Sequence, residues 1–289
     1  MSSYPEELRA GVDAYLRGLS FDEGTATAGL QEAMRYSLLA GGKRIRPVLC
    51  LATGRALGRG AEDFLPTAAA LELIHTYSLI HDDLPAMDDD ALRRGRPTSH
   101  VVHGEDVAIL AGDALFAEAI RLIAERQEAA PERVLAAIKE IAAATGVDGM
   151  VGGQYVDVTE GGQSGESLRA LHELKTGRLI TASVGAALVL SGVEGAEAAP
   201  YRRFAAELGV LFQIVDDILD VTGSDEELGK PSGSDERHGK VTYVSLFGLE
   251  RARELAETSR DGVLAALGEA DGSVAELVAI TEFIYSRDS

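Results

Sequence analysis

Apolar residues recur at steps of three and four along nearly the whole chain, the spacing of one buried face of a helix. Strand-like alternation of Val, Ile and Thr is rare, and aromatic residues make up only 5% of the 289 residues. Two stretches, Leu179–Val193 and Leu208–Val215, are apolar nearly all round, as expected for helices that other helices cover. We find no linker and no repeat. The sequence therefore predicts an all-α fold in which residues 1–289 form a single helical domain.

The periodicity and the positions of Gly place the individual helices. The predicted helices are Tyr4–Leu16, Ala26–Leu39, Arg46–Leu57, Phe64–Asp82, Asp106–Gln127, Glu132–Ala144, Gly149–Val158, Ser167–Leu190, Tyr201–Val221, Thr242–Leu267 and Ser273–Tyr285. Gly192 and Gly195 both lie where a helix could end. The segments Leu84–Gly104 and Gly223–Gly239 contain Pro and Gly and do not fit a helix. Each follows a cluster of aspartates, and long loops of this kind often bind ligands.

Net charge excludes some classes of partner. The chain has 47 acidic and 27 basic residues, a formal charge of −20, which disfavours binding to nucleic acid or to anionic lipid. Its one cysteine, Cys50, lies in an apolar stretch and cannot form an internal disulfide, so we expect a reducing, cytoplasmic location. Met1–Arg9 lacks the apolar core of a signal peptide. The uncharged run Leu179–Val193 has 15 residues, fewer than the roughly 20 that span a bilayer.

The later acidic cluster follows helical spacing. Steps of three, four and seven return to one helix face, so one stripe carries Gln213, Asp216, Asp217 and Asp220. Two carboxylates ~4 Å apart repel by about 4 kcal/mol at an effective dielectric of 20. Carboxylates crowded at a partly buried helix end therefore stay protonated or hold a cation, and oxygen ligands favour Mg²⁺. The alternative is a solvated acidic helix end.

The earlier acidic cluster does not follow a single face. It follows the apolar run Leu71–Ile80 and comprises Asp82, Asp83, Asp88, Asp89 and Asp90. Asp82 and Asp88 are about 240° apart on an ideal helix, whereas Asp89 would share the face of Asp82. Pro85 allows the chain to bend between them, which could bring Asp88 to Asp82 instead. Spacing alone leaves both alternatives open.

Basic residues are scarce in this chain, and they cluster beside the aspartates. The groups are Lys43, Arg44 and Arg46; Arg93, Arg94 and Arg96; Lys175 with Thr176 and Arg178; and Lys230 and Lys240. Guanidinium forks and ammonium groups bind phosphate oxygens, so their combination with carboxylates predicts a metal–diphosphate site. Surface ion pairing is the alternative.

Two histidines precede the first acidic cluster. His75 lies seven residues before Asp82, on the same face, and could donate to a phosphate or simply pack in the core. The dipeptide His81–Asp82 occurs in metal phosphohydrolases of the HD type. That interpretation leaves the second acidic cluster and most basic residues unexplained.

Six segments, in order, resemble the motifs of the short-chain trans-isoprenyl diphosphate synthases, and of the bacterial farnesyl diphosphate synthase branch in particular. They are residues 41–47 (GGKRIRP), 75–95 with the Asp82–Asp90 cluster, Lys175–Gly177, Gln213–Asp220, Gly229–Lys230 and Gly239–Lys240. The resemblance covers nearly the whole chain. It implies a helical bundle around a deep apolar cavity, usually a homodimer, that condenses isopentenyl diphosphate with an allylic diphosphate.

The resemblance also implies residue roles. The Mg²⁺ ligands would be Asp82, Asp88 and Asp216, supported by Asp83, Asp217 and Asp220, and Asp220 would also belong to the metal site. The allylic diphosphate would be bound by Arg93, Lys175, Thr176, Gln213, Lys230 and Lys240, of which Lys175 would also take part in catalysis. Isopentenyl diphosphate would be bound by Lys43, Arg46, His75 and Arg94.

The resemblance suggests a product as well. In similar enzymes a bulky aromatic at the position of Tyr77, next to Ser78, stops the growing chain near fifteen carbons, which predicts farnesyl diphosphate. The alternatives are a geranylgeranyl diphosphate synthase, a terpene cyclase and a non-catalytic partner subunit that binds diphosphates. A cyclase typically has Ser or Thr where Asp220 stands, and such subunits usually lack one aspartate motif, whereas both are present here.

Overall fold

The computed structural model describes residues 4–21, 24–159, 164–223 and 240–286, and these confirm the all-α fold. The helices are α1 Glu6–Gly18, α2 Ala28–Leu38, α3 Ile45–Ala56, α4 Leu65–Asp82, α5 Ser99–His103, α6 Glu105–Arg126, α7 Pro131–Thr145, α8 Met150–Thr159, α9 Gly165–His172, α10 Arg178–Ser191, α11 Gly195–Thr222, α12 Tyr243–Phe247, α13 Leu249–Gly268 and α14 Ala275–Tyr285. Short 3₁₀ turns occupy Thr25–Thr27 and Ala61–Phe64, and one π-helical turn occupies Glu173–Gly177.

The layers of the bundle follow from which helices are apolar all round. α10 is buried along most of its length and packs against α3, α7 and α11. α4 packs along α6, and α11 packs along α13, so the two helices that end in aspartates lie within the bundle. One contiguous apolar core extends from Tyr4 to Ile284. Within the described residues no helix is long and apolar enough to cross a membrane.

Three predicted boundaries were wrong. The predicted helix Ser167–Leu190 consists of α9, the π-helical turn and α10, because the backbone widens by one residue at Glu173–Gly177. The predicted helix Thr242–Leu267 is two helices, since Gly248 adopts a positive φ of 80° between α12 and α13. Gly192 ends α10 in the left-handed conformation, as predicted, but Gly195 begins α11 rather than ending a helix.

The segment Leu84–Gly104, predicted to be non-helical, contains a small hairpin and a short helix. Strands β1 Leu92–Arg93 and β2 Arg96–Pro97 pair antiparallel, and α5 follows them. Both residues between the strands, Arg94 and Gly95, have positive φ, which is the geometry of a tight hairpin turn. The turn holds Arg93 and Arg94 next to the end of α4.

A buried ion network joins the start of α3 to α1 and α4. Arg44 is 3% exposed. It donates from Nη1 to Glu72 at 2.5 Å, from Nε to Asp13 at 2.9 Å and from Nη2 to the Leu38 carbonyl at 2.9 Å. All three directions of the guanidinium are used, so Arg44 holds the loop that carries Lys43 and Arg46 rather than acting as a phosphate-binding cation.

Removal of Glu72 should destabilise the protein strongly. Glu72→Ala leaves the Arg44 charge buried without its closest partner, which costs about 3–5 kcal/mol of unfolding free energy. Urea unfolding followed by circular dichroism measures the change. Glu250→Ala is the matched control, since Glu250 pairs with Arg253 on the exposed face of α13 and should cost less than about 1 kcal/mol. Equal losses in the two variants would contradict a stabilising role for the Arg44 network.

Candidate active site

The first acidic cluster begins where α4 ends. The chain turns back at residues 84–88, so that the Asp88 amide donates to the Asp82 carbonyl at 2.9 Å, while the Asp89 amide donates to Leu84. Burial raises the pKa of Asp82 to about 6, and Asp88 adds to this shift while Lys175 opposes it. Asp89 is exposed, with a positive φ of 52°. The turn therefore brings Asp88 next to Asp82, the alternative that ideal helical spacing disfavoured.

The second carboxylate of this cluster is committed to an arginine. Asp83 is 3% exposed, and its Oδ1 accepts from both Nε and Nη2 of Arg93 at 2.6 Å. Burial raises the pKa of Asp83, and Arg93 opposes the shift. The ion pair fastens the β1–β2 hairpin to the end of α4, so Asp83 positions Arg93.

The second acidic cluster lies on one stripe of α11, as predicted. Gln213 donates from Nε2 to Asp217 Oδ1 at 2.8 Å, and the Tyr243 amide donates to Asp217 Oδ2 at 2.8 Å. Both oxygens of Asp217, which is 1% exposed, are thus occupied, and the residue ties α11 to the start of α12. Asp216 is exposed and Asp220 is buried. Asp216 is thus the solvent-exposed carboxylate of this stripe.

The π-helical turn brings Lys175 and Thr176 between the two clusters. Thr176 Oγ1 donates to Gln213 Oε1 at 3.2 Å, which links the turn to α11. Glycines allow neighbouring helices to approach it closely. A Cβ on Gly153 of α8 would lie 2.3 Å from the Lys175 amide nitrogen, and one on Gly209 of α11 would lie 2.9 Å from the Gly177 Cα. Turns of this kind are frequent at functional sites.

Asp157 was not predicted from the sequence as a site residue. Asp157 of α8 accepts from Lys175 Nζ at 2.6 Å and lies 3.9 Å from Lys240 Nζ. Lys240 in turn donates to Asp88 at 3.0 Å. A signal was present, because Met150, Gly153 and Asp157 are spaced by three and four on the inward face of α8. Lys230 lies outside the described residues.

A second group of basic residues, which comprises Arg46, Arg94 and His75, lies beside the group of Lys175, Lys240 and Arg93. Burial lowers the pKa of Arg46 to about 10, with Arg94 adding to the shift, and the buried Nε of Arg46 has no hydrogen-bond partner among the described residues. Burial and the nearby arginines hold the pKa of His75 well below its usual value, so the imidazole is neutral. Asp216 also acts on Arg46 electrostatically. An unpartnered guanidinium nitrogen in a positive cluster is the environment that an anion would complete.

Glycine makes room for one of these cations. Arg94 donates to the Gly41 carbonyl, and a Cβ on Gly42 would lie 2.7 Å from its guanidinium carbon. Lys43 is exposed, with Nζ 5.6 Å from the ring of Phe283. Arg96 stacks on Tyr36, with 4.5 Å between its guanidinium carbon and the ring centre. Residues 41–44 are thus in contact with the β1–β2 hairpin.

The predicted chain-length residues Tyr77 and Ser78 lie one to two turns before Asp82, and Tyr77 faces α6. The half-buried Tyr77 ring packs edge to face on Phe116, with 5.5 Å between ring centres, and on His81 at 5.7 Å. His81 Nε2 lies 3.0 Å from the Ile109 carbonyl, so it joins α4 to α6. Ser78 donates from its hydroxyl to the His75 carbonyl within the helix. Phe116 was not predicted.

The carboxylates of this site suit Mg²⁺ ions whose remaining ligands are phosphate oxygens and water. Within the described residues, no three His, Cys, Asp or Glu side chains are placed to hold a metal ion by themselves. Mg²⁺ in phosphate sites keeps several waters and takes one or two carboxylates plus phosphate oxygens. The adjacent Asp82 and Asp88, and the exposed Asp216, match that donor set rather than an all-protein cage.

Comparisons with known proteins agree with this geometry. Residues 27–282 match the family described as "Polyprenyl synthetase". The chain is 45% identical to farnesyl diphosphate synthase of Geobacillus stearothermophilus, over 98% of this chain and 96% of that protein. It is 47% identical to chloroplastic geranylgeranyl pyrophosphate synthase of Capsicum annuum, over 90% of this chain and 72% of that protein. A geranyltransferase of Helicobacter pylori, solved in complex with magnesium and isoprenyl diphosphate, superposes on this chain with a TM-score of 0.87. The two are 34% identical, and the match covers 97% of this chain and 96% of that protein.

Proposed function

The chain belongs to the polyprenyl synthetase family and is a trans-prenyltransferase, and on this premise we propose that it makes farnesyl diphosphate. The observation that carries a condensation of two diphosphate substrates is the presence of two adjacent cationic groups. One comprises the cations Lys175, Lys240 and Arg93 among the aspartates, and the other comprises the cations Arg46 and Arg94 beside the neutral imidazole of His75. Two diphosphate substrates would each need such a group.

In the proposed reaction, the first group binds the allylic diphosphate and the second binds isopentenyl diphosphate. Mg²⁺, held by Asp82, Asp88 and Asp216 with Asp220 in support, would neutralise the diphosphate and make it a better leaving group. Lys175 and Lys240 provide fixed positive charges to the departing diphosphate, an effect that typically contributes about 3–4 kcal/mol for one well-aimed donor. Asp83 and Asp217 act by positioning Arg93 and Gln213.

The chemistry then proceeds without any further protein nucleophile. The C–O bond to the allylic diphosphate breaks, and the double bond of isopentenyl diphosphate attacks the resulting cation to form the new C–C bond. A proton leaves the condensed chain and passes to the released pyrophosphate. The protein holds the two substrates in line and keeps water from the cation. The hydroxyl oxygen of Thr176 and the amide oxygen of Gln213 are hydrogen-bonded to each other at 3.2 Å. Both oxygens are uncharged but carry partial negative charge, which they offer to the allylic cation.

The fifteen-carbon product rests on Tyr77. Its position is about 7.5 Å along the α4 axis from Asp82, and Phe116 packs against it. Similar relatives include both farnesyl and geranylgeranyl diphosphate synthases, so a twenty-carbon product is the second candidate.

Incubation of the purified chain with labelled isopentenyl diphosphate and each allylic primer, with Mg²⁺, tests the proposal. We expect farnesyl diphosphate from both dimethylallyl and geranyl diphosphate, identified by chromatography, and no product when EDTA removes the metal. A twenty-carbon product would support the second candidate. Hydrocarbon formed from one substrate would indicate a cyclase, and no product from the chain alone would indicate a partner subunit.

We propose that the chain forms a homodimer through the exposed apolar side chains of α5 and α6. This face carries Val101, Val102, Ile109, Leu110 and Phe116, of which Leu110 is 56% exposed. An exposed apolar patch of this kind is typical of an interface. Light scattering should give the dimer mass for the wild type and for the control Val221→Asp on α11. Leu110→Asp should give a monomer, and a dimer mass for that variant would contradict the proposal.

The location of the protein is also a proposal. Cys50 is buried in α3 as a free cysteine, which suits a reducing compartment such as the cytoplasm.

A further inference from the structure

Asp157 lies between the two lysines that are proposed to bind the allylic diphosphate. Its Oδ2 is 2.6 Å from Lys175 Nζ and 3.9 Å from Lys240 Nζ, and its side chain is only 10% exposed. On the other side, Lys240 lies 3.0 Å from Asp88 Oδ1. Asp157 is held at this position because Gly153, one turn earlier on α8, lets the helix contact the π-helical turn that carries Lys175.

Carboxylates outnumber cations around these lysines. The described acidic side chains of the two clusters and α8 are Asp82, Asp83, Asp88, Asp89, Asp90, Asp157, Asp216, Asp217 and Asp220, against the cations Lys175, Lys240 and Arg93. A diphosphate that arrives without metal therefore meets a site whose lysines already face carboxylates, and whose field is negative.

We propose that Asp157 is a positioning residue that stands in for one negative charge of the substrate and thereby makes diphosphate binding depend on Mg²⁺. This inference rests on the proposed function. Asp157 keeps both ammonium groups aimed at the place where the diphosphate will lie. Its charge also disfavours a bare diphosphate, which would have to approach the same two lysines.

The lysines need not leave Asp157 when the substrate binds. An ammonium group has three N–H donors, so Lys175 can keep Asp157 and still donate to a phosphate oxygen. With Mg²⁺ present, the metal offsets most of the negative charge of the diphosphate, so the repulsion between Asp157 and the diphosphate becomes small. Without Mg²⁺, the same carboxylate is a direct repulsive neighbour of the diphosphate.

Binding of inorganic pyrophosphate, measured by calorimetry with EDTA and then with saturating Mg²⁺, tests the proposal. With EDTA, Asp157→Asn should bind pyrophosphate at least about tenfold more tightly than the wild type, which is about 1.4 kcal/mol. With Mg²⁺, the two proteins should differ by less than about threefold. Asp157→Glu keeps the charge and should retain the metal dependence of the wild type.

The control for net charge is Asp148→Asn, which removes the same charge from an exposed position before α8 and should leave both affinities unchanged. If Asp157→Asn does not fold, Asp157→Ser takes its place, since it also removes the charge. Metal-free affinity within about twofold of the wild type would overturn the inference. So would an equal gain in Asp157→Glu or in Asp148→Asn.

The outcome is separate from that of the proposed function, because the measurement uses pyrophosphate and needs no turnover. If the chain forms no prenyl product yet Asp157→Asn shows the tenfold gain, the charge role of Asp157 is supported and only the proposed reaction fails.

Discussion

Asp88→Asn should lower the turnover number by about 10²–10³, whereas Asp89→Asn should change it by less than about threefold. The two residues are neighbours, carry the same charge and are both near the end of α4. They differ because the Asp88 amide is bonded to the Asp82 carbonyl and its carboxylate reaches Lys240, while Asp89 is exposed. Asn is also tolerated at the positive φ of Asp89, so the control variant should fold.

Steady-state kinetics with geranyl and isopentenyl diphosphates, over a range of Mg²⁺ concentrations, measure the effect. The Asp88 variant should need more Mg²⁺ for half-maximal rate, and the Asp89 variant should not. Equal turnover in the two variants, or a larger loss in the Asp89 variant, would contradict this prediction. It would favour Asp89, seven residues after Asp82, as the metal ligand and would show that the turn at Pro85 does not form the metal site.

Tyr77→Ala should shift the product from fifteen carbons to twenty or more. The Tyr77 ring lies between the end of α4 and Phe116 of α6, so its removal opens the space into which a longer chain would extend. Product length is read by chromatography after the diphosphate is removed. Tyr77→Phe is the matched control, because it keeps the ring and should keep the fifteen-carbon product.

The same pair of variants separates size from polarity at this position. Burial raises the pKa of the Tyr77 hydroxyl to about 12, so the group is neutral at the working pH and contributes no charge to the cavity. A longer product from Tyr77→Phe would mean that the hydroxyl stops the chain. An unchanged product from Tyr77→Ala would show that Tyr77 does not form the floor.

The sequence predicted what depends on helical periodicity. The stripe of α11 was found because Gln213 and Asp217 are four residues apart, and the structure joins them by a hydrogen bond. The end of α10 was predicted because Gly192 marks it, and the end of α4 at Asp82 was predicted because a Pro-containing segment begins there. Such signals are local and need no knowledge of neighbouring helices.

What could not be predicted depends on contacts between distant segments. Whether Arg44 faces a ligand or Glu72 depends on how α3 meets α4, which no spacing within either helix determines. Asp157 is the single acidic residue of α8, and its role is visible only beside Lys175 and Lys240. Helical spacing left the choice between Asp88 and Asp89 open, and only the family resemblance favoured Asp88, because the choice depends on a backbone hydrogen bond across a turn.

The single extra residue in the turn Glu173–Gly177 limits how related chains can vary in length. A π-helical turn of five residues rotates the chain about as far as four residues of an α-helix, so deleting one residue there would restore the regular helix and leave α10 in register with α9. Lys175 and Thr176 would then swing away from Asp157 and Gln213, although the buried face of α10 would stay in the core. Functional relatives should therefore show no gap in an alignment between residues 173 and 177, even where the surrounding loops differ freely.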